Sequence, residues 1–218
     1  MSRAHPTRAV IFDLDGTLLD SLPLVLRAFS HALNPFGGRP TMETFAHLGG
    51  PPEKIFPSLI PDARHVPAAM LRLNEFTREN HHLIAPFAGA LALLGELRAR
   101  GVRLAVWTGR DRESTDSLLL SNVMTPFFDV VVCGDDLPTH KPDAEGMREI
   151  LRQLALAPNE ALYMGDADVD VLGGVGAGVD TILINHARTP EAAVAARAWR
   201  SVRSPFEAYE WALSCTAR

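Results

Sequence analysis

The sequence predicts a doubly wound parallel α/β sheet carrying a small helical domain inserted after its first strand. Three observations lead there. Five short β-rich runs are almost continuously apolar instead of alternating, the pattern of strands covered on both faces. Amphipathic helical patterns separate them, the rhythm of strand–helix–strand units. One connection, after the first run, is far longer than a crossover helix requires.

The first strand is "RAVIFDL" (8–14), which runs straight into Asp13, Asp15, Gly16 and Thr17. The stretch 89–100 can supply the crossover helix, so residues from about 20 to 87 are surplus to it. Their pattern is helical. Leu22, Val25, Leu26, Phe29 and Leu33 make one face, and Val66, Met70, Leu73 and Phe76 suggest another. Pro/Gly clusters at "NPFGGRP" and "GGPPEK" punctuate them. A structureless loop of that length does not suit a compact fold, so a small helical unit over the sheet edge is expected. "GALALLGELRARG" then places Leu91, Leu94 and Leu97 on one face, with Gly101 just past the helix end. "VRLAVWTG" (102–109), "FDVVVCGD" (128–135), "ALYMGDA" (161–167) and "DTILINH" (180–186) supply the remaining strands. "DAEGMREILRQLAL" repeats helical spacing at Met147, Ile150, Leu151 and Leu154. The tail has two helix starts, at Thr189 and Ser204, the second with a Ser-x-x-Glu capping box and Pro205 at the first helical position.

Bulk properties narrow the function. At 218 residues the chain holds one large domain, or one domain with a smaller insertion. A net charge of −5 argues against nucleic-acid or anionic-membrane partners, which call for a basic excess. Cys133 and Cys215 follow no metal-ligand spacing and are expected as free thiols in a reducing compartment. The first eight residues are polar and no apolar run reaches membrane-spanning length, so neither a signal peptide nor a transmembrane helix is expected, and the cytoplasm is the default.

In an open parallel sheet, ligands bind beyond the carboxyl ends of the strands. The first strand ends in Asp13 and Asp15, the second in Thr108 and the fourth in Asp166, with Asp168 and Asp170 just beyond. The third feeds "GDDLPTHKPD", which places Lys141 at the start of the next helix. Carboxylates converging on one edge repel by roughly 4 kcal/mol per pair at 4 Å and an effective dielectric near 20. Such a cluster needs cations. Lys141 supplies one, and Mg²⁺ suits a ligand set made of oxygen. A divalent ion, a lysine, a threonine hydroxyl and exposed backbone amides together suit a phosphoryl group, whose transfer needs positioning and charge neutralisation. One aspartate of the opening pair can then attack phosphorus while its neighbour exchanges a proton with the leaving group. Asp168 is expected to be a solvated helix-start residue, and Asp135 and Asp136 stand evenly between turn chemistry and the site.

"DLDGT" (13–17), Thr108 at a strand end, Lys141 in "KPD" and "GDADVD" (165–170) resemble the four ordered motifs of the haloacid-dehalogenase-like hydrolases. The insertion after the first motif resembles the helical cap of the phosphoglycolate phosphatase and β-phosphoglucomutase branch. That resemblance implies a Rossmann-like α/β core over 1–19 and 88–218, and a cap domain over 20–87. It implies Asp13 as the nucleophile that forms an aspartyl-phosphate, and Asp15 as acid and then base. Thr108, Gly109 and Lys141 would hold the phosphoryl group. Mg²⁺ would be bound by the Asp13 carboxylate, the Asp15 backbone carbonyl and Asp166, with Asp170 either supporting the ion through water or orienting Lys141. Thr17 favours a phosphatase over the mutase relatives, and the carboxylate of Asp15 sets the chain apart from the haloacid dehalogenases proper. The implied activity is hydrolysis of a small phosphorylated metabolite such as phosphoglycolate, a sugar phosphate, a nucleoside monophosphate or pyrophosphate, by a monomer or homodimer. Phosphomutase or phosphonate C–P hydrolase chemistry is the alternative, and a catalytically silent binding domain a more distant one.

Other signals point elsewhere. Lys54 falls where some relatives place a basic cap residue, but beside Glu53 at a helix start it reads as a solvated charge. Arg110 in "TGR" departs from the small or amide residue common there, and either reaches substrate or faces solvent. "GGVGAG" (173–178) does not fit a dinucleotide-binding loop. His81 and His82 are adjacent, so their side chains diverge on a helix. Trp107, Trp199 and Trp211 are expected to be packing residues.

Overall fold

The structure, a computed structural model, describes residues 5–46 and 50–216. The strands among them are β1 (Ala9–Phe12), β2 (Arg103–Trp107), β3 (Val130–Val132), β4 (Ala161–Gly165), β5 (Asp180–Ile184) and β6 (Arg200–Val202). All pair in parallel in the order β3-β2-β1-β4-β5-β6. The continuous apolar runs are explained by two-sided burial. Val10, Phe12, Leu104, Val106, Leu162 and Met164 belong to one core cluster, whereas Ala9, Ile11, Ala105, Trp107, Ala161 and Tyr163 belong to another. The sixth strand lies beyond the five expected: only three residues long and opening on Arg200, it has too few apolar positions to stand out.

Helices α1 (Leu22–Leu33), α2 (Met42–Ala46), α3 (Pro52–Leu59) and α4 (Val66–Asn80) fill the long connection after β1. They gather a core of their own from Ala28, Phe29, Leu33, Phe56, Ala69 and Leu73, with Phe29 and Phe56 meeting edge to face. The fold is thus a doubly wound Rossmann-like sheet with a helical insertion after the first strand. His47, Leu48 and Gly49, the last of which opens "GGPPEK", lie outside the described residues.

The remaining helices are α5 (Ala90–Ala99), α6 (Arg112–Ser121), α7 (Glu145–Leu154), α8 (Asp168–Gly176), α9 (Ala192–Ala195) and α10 (Pro205–Cys215). α5, α6 and α10 pack on one face of the sheet, and α7 on the other through Met147, Ile150, Leu151 and Leu154. α5 differs from the expected face. Its inward positions are Ala90, Leu93, Leu94 and Leu97, and Leu91 is exposed, because the core-facing stripe runs one residue further round the helix. At α10, Ser204 Oγ accepts from Glu207 N at 3.2 Å, while the Glu207 carboxylate accepts from Arg203 N at 2.8 Å instead of from the cap residue itself. Trp199 and Trp211 meet edge to face, and the Arg200 guanidinium lies 3.5 Å from the Trp211 ring centre.

Register positions the site. Phe12 of β1 lies opposite Val106 of β2 and Met164 of β4, so all three strands run out at one level. The strand order reverses at β1, between β2 and β4, which opens a crevice at the carboxyl edge.

Candidate active site

Asp13 leaves β1 with its backbone N–H donating to Met164 O at 2.8 Å, which points its carboxylate into that crevice. Lys141 Nζ lies 2.7 Å from Asp13 Oδ1 and 2.6 Å from Asp170 Oδ1, with all three side chains buried. The ammonium sits 5.1 Å from the Trp107 ring centre and 5.5 Å from that of Tyr163, so these core aromatics also face the lysine's charge. Lys141 stands in the loop before α7, three residues ahead of the helix's cap residue Ala144, and not at the helix start. Asp170 is fully partnered. Oδ1 also accepts from Tyr163 Oη at 2.6 Å, and Oδ2 accepts from Ala167 N at 3.0 Å.

Asp166 is the contrasting case. Both its carboxylate oxygens are buried and accept no hydrogen bond, although Arg188 Nε stands 2.9 Å from Oδ2 in ion-pair contact. Burial pushes its carboxyl well above the ordinary range, with Arg188 pulling the other way and Asp13, Asp170 and Asp15 adding to the rise. Burial also lifts Asp13, to about 7, against the pull of Lys141 and with Asp170 and Asp15 reinforcing it. The lysine holds Asp170 below the usual carboxylate range in spite of burial. Oxygens of Asp13, Asp166 and Asp170 all lie within 4.8 Å of one another. Buried carboxylate oxygens without hydrogen bonds, in an all-oxygen set, fit a hard divalent cation. Gly16 makes room for them. Its φ of +80° favours glycine, and a side-chain carbon there would stand 2.3 Å from Asp166 Oδ2.

Asp15 is turned to different partners. Arg110 Nε donates to its Oδ2 at 2.7 Å and Nη2 to its Oδ1 at 2.6 Å, and the Ser21 hydroxyl also donates to Oδ1. Against the cost of burial, Arg110 holds the Asp15 carboxyl below its ordinary value. Arg110 therefore neither faces solvent nor stands free. Thr108 is buried, and its Oγ1 accepts from Arg110 N at 3.2 Å. A side-chain carbon on Gly109 would stand 3.2 Å from Gly50 N, so this glycine lets the inserted segment close onto the loop after β2. Thr17 Oγ1 is buried without a hydrogen-bond partner, and its carbonyl accepts from Tyr209 Oη at 2.6 Å.

Several expectations are corrected or resolved by the packing. Asp168 is not solvated: it is 3% exposed, and its carboxylate accepts from Glu191 N at 3.2 Å, tying α8 to the start of α9. The last of these helices begins later than Thr189, with Glu191 as its cap. Asp135 and Asp136 serve the loops: Asp135 accepts from Arg112 N, and Asp136 accepts from Cys133 N and pairs with the Arg112 side chain. Lys54, His81 and His82 do not join the acidic cluster, and Lys54 is exposed. Both cysteines are free. Gly173 and Gly174 lie in α8, packed against Trp107 and Thr181, where no nucleotide loop exists. Three residues escape sequence reasoning. Tyr163 looks like any strand residue, Arg188 follows no spacing, and Ser21 looks like a helix cap although its side chain caps nothing in α1.

A family profile described as haloacid dehalogenase-like hydrolase matches residues 10–184. A pyrophosphatase PpaX from Bacillus pumilus is 33% identical over 175 residues, covering 79% of this chain and 80% of that protein. The PpaX of Bacillus mycoides is 29% identical over 190 residues, with 81% and 82% covered. Among solved structures, CbbY from Rhodobacter sphaeroides in complex with phosphate has a TM-score of 0.78 at 24% identity, covering 92% of this chain and 96% of its own. A hydrolase from Pseudomonas syringae has a TM-score of 0.81 at 19% identity, covering 97% and 100%, and like CbbY it bears on the fold alone. The chain belongs to the haloacid dehalogenase-like hydrolases. Within them it is a phosphatase-type enzyme. Among the described residues, no helix is long and apolar enough to cross a membrane.

Proposed function

We propose that the protein is a Mg²⁺-dependent phosphatase that cleaves a small phosphorylated metabolite through an aspartyl-phosphate on Asp13. The observation that carries this reading is the group at the carboxyl edge of the sheet: Asp13 and Asp170 sharing the Lys141 ammonium beside the unsatisfied Asp166. Asp13, the Asp15 backbone carbonyl and Asp166 would hold the metal. When bound, the ion neutralises phosphoryl charge and the mutual repulsion of the carboxylates.

The chain's own residues divide the chemistry. An Asp13 oxygen bonds to phosphorus as the bond to the leaving oxygen breaks, and Asp15, in its protonated form, gives that oxygen a proton and is left as the carboxylate. Asp15 then takes a proton from the water that attacks phosphorus, and the acyl–phosphate bond breaks to restore Asp13. Thr108, the Gly109 backbone and Lys141 would hold the phosphoryl oxygens, with Lys141 also balancing Asp13 and Asp170 holding Lys141 in place. Thr17, whose hydroxyl is buried without a partner, would support the same loop. The core domain would comprise 1–19 and 88–218, and residues 20–87 a cap whose movement admits substrate and excludes water. The pyrophosphatase relatives bring pyrophosphate to the front of the candidates, beside phosphoglycolate, sugar phosphates and nucleoside monophosphates.

The test is phosphate release from a panel of these compounds, with Mg²⁺ and with chelator, for wild type and Asp13→Asn. Metal-dependent release that falls at least 1,000-fold in the variant, on the order expected when a nucleophile is lost, is the expected result. Release that survives the substitution would remove Asp13 from the nucleophile's role.

A further inference from the structure

The fork between Arg110 and Asp15 poses a problem for the acid–base role. Both oxygens of Asp15 accept from the guanidinium, at 2.6 and 2.7 Å, and Oδ1 takes the Ser21 hydroxyl as well. The pair is well shielded, with side-chain exposures of 15% and 19%. An aspartate held in this way has about three of its four acceptor positions filled, and both oxygens face the guanidinium instead of a leaving group or a water. For Asp15 to work, the fork must open. A guanidinium released from so shielded a pair is best matched by another anion, and the groups that fit its planar pair of donors are carboxylate and phosphate.

Position favours the substrate as the source of that anion. Arg110 follows Thr108 and Gly109 directly, and its own N–H donates to Thr108 Oγ1, so the guanidinium grows out of the loop assigned to the phosphoryl group. We infer that Arg110 selects substrates bearing a second anionic group beside the phosphoryl group, by exchanging the Asp15 carboxylate for that group. This rests on the reading of Asp15 as acid and base given above. The exchange makes recognition and catalysis one event: a substrate with a neutral tail offers Arg110 nothing and leaves Asp15 engaged. Arg110 is then a specificity-determining residue in which a lysine, lacking the fork, is a poor replacement.

Calorimetry on the full chain reads the exchange without turnover. The probes are phosphonoacetate, methylenediphosphonate and the neutral-tailed phosphonoacetamide, each titrated into wild type, Arg110→Gln and Arg110→Lys. Wild type is expected to bind one or both doubly anionic probes at least tenfold more tightly than the amide. Arg110→Gln should erase that preference and Arg110→Lys should restore only part of it. The anion with the larger loss identifies the second group as carboxylate or phosphate. In kinetics, the preference in kcat/KM for phosphoglycolate over its amide should fall about 100-fold in Arg110→Gln, the scale of truncating one member of a shielded, hydrogen-bonded charge pair. An equal fall on both esters would show that Arg110 only props Asp15, and would overturn the inference. So would a wild type without preference among the probes, or one that binds none of them. Clear binding preference with no hydrolysis of either ester would instead count against the phosphatase reading and leave the exchange standing.

Discussion

At the scale of single residues, the site is an arrangement of charges that no member could hold alone. Lys141 is 3% exposed between Asp13 and Asp170, and its ammonium is all that separates two buried carboxylates. Replacing it by methionine keeps the apolar stem against Trp107 and Tyr163 but removes the charge. A buried ion pair broken on one side costs roughly 3–5 kcal/mol. Urea unfolding of Lys141→Met at pH 8 should show a loss of that order, and adding Asp170→Asn should recover part of it. A loss below about 1 kcal/mol would mean that the carboxylates are not jointly ionised around the lysine. The same residues show what sequence can and cannot reveal. Asp13, Thr108 and Asp166 are legible because each follows an apolar run, and parallel register brings such positions to one edge. The side-chain pairings are not, since Arg110 reaches across 95 positions of sequence to Asp15 and only the packed fold brings them together. Asp168 misleads for a related reason: a helix-start aspartate looks solvated until a later segment, here at Glu191, covers it.

At the scale of elements, two places connect local chemistry to stability. α6 ends with Val123 at φ +58°, and Met124 N donates back to Leu119 O at 2.7 Å, a helix ending that favours glycine at the left-handed position. Valine is β-branched and strained there, and the residue is 69% exposed, so little packing is lost with its side chain. Val123→Gly should stabilise the protein by about 1 kcal/mol in urea, the left-handed penalty less glycine's extra unfolded-state entropy; a destabilised variant would contradict this account. Asp129, just ahead of β3, holds the edge of the sheet. Oδ2 accepts from Leu104 N at 2.9 Å and from Arg98 at 2.8 Å, and Arg103 pairs with Oδ1. Burial opposes its ionisation, but the Leu104 N–H and the two arginines bring it below the ordinary value. A depressed carboxyl stabilises the fold above its unfolded pKa and loses that contribution as pH falls through its folded one. Asp129→Asn should therefore cost about 1 kcal/mol at pH 7, allowing for solvent screening. The gap to wild type should start to narrow near pH 4, the unfolded value, and close only once pH has fallen through the lowered folded one. A gap that persists at low pH would assign the effect to packing. β6 is hidden from the sequence because its three residues, opening on Arg200, hold too few apolar positions to show a pattern, whereas α9, expected from Thr189, starts at Ala192 and spans about one turn.

At the scale of the whole molecule, the question is how a chain of net charge −5 tolerates four carboxylates directed to one edge of its sheet. Lys141 balances Asp13 and Asp170, and Arg110 balances Asp15. Asp166 keeps Arg188 in ion-pair contact and no hydrogen bond on either oxygen, so it is the member with most to gain from a cation. A ligand that binds only the folded state adds stability as the logarithm of its saturation, about 2.7 kcal/mol at 100 times its Kd. For a chain of this size that corresponds to a rise in Tm of roughly 5–10 °C. Calorimetric melting in a Mg²⁺ series should show such a rise, saturating, reversed by chelator and absent from Asp166→Asn. Protons compete for the same oxygens, because burial raises both Asp13 and Asp166. The Mg²⁺-induced rise should therefore be larger at pH 8 than at pH 6. A rise that Asp166→Asn shares in full would place the ion elsewhere on the surface. No rise at either pH would mean that protons and the resident arginines and lysine already satisfy the cluster, and that metal enters only with the substrate's phosphoryl group.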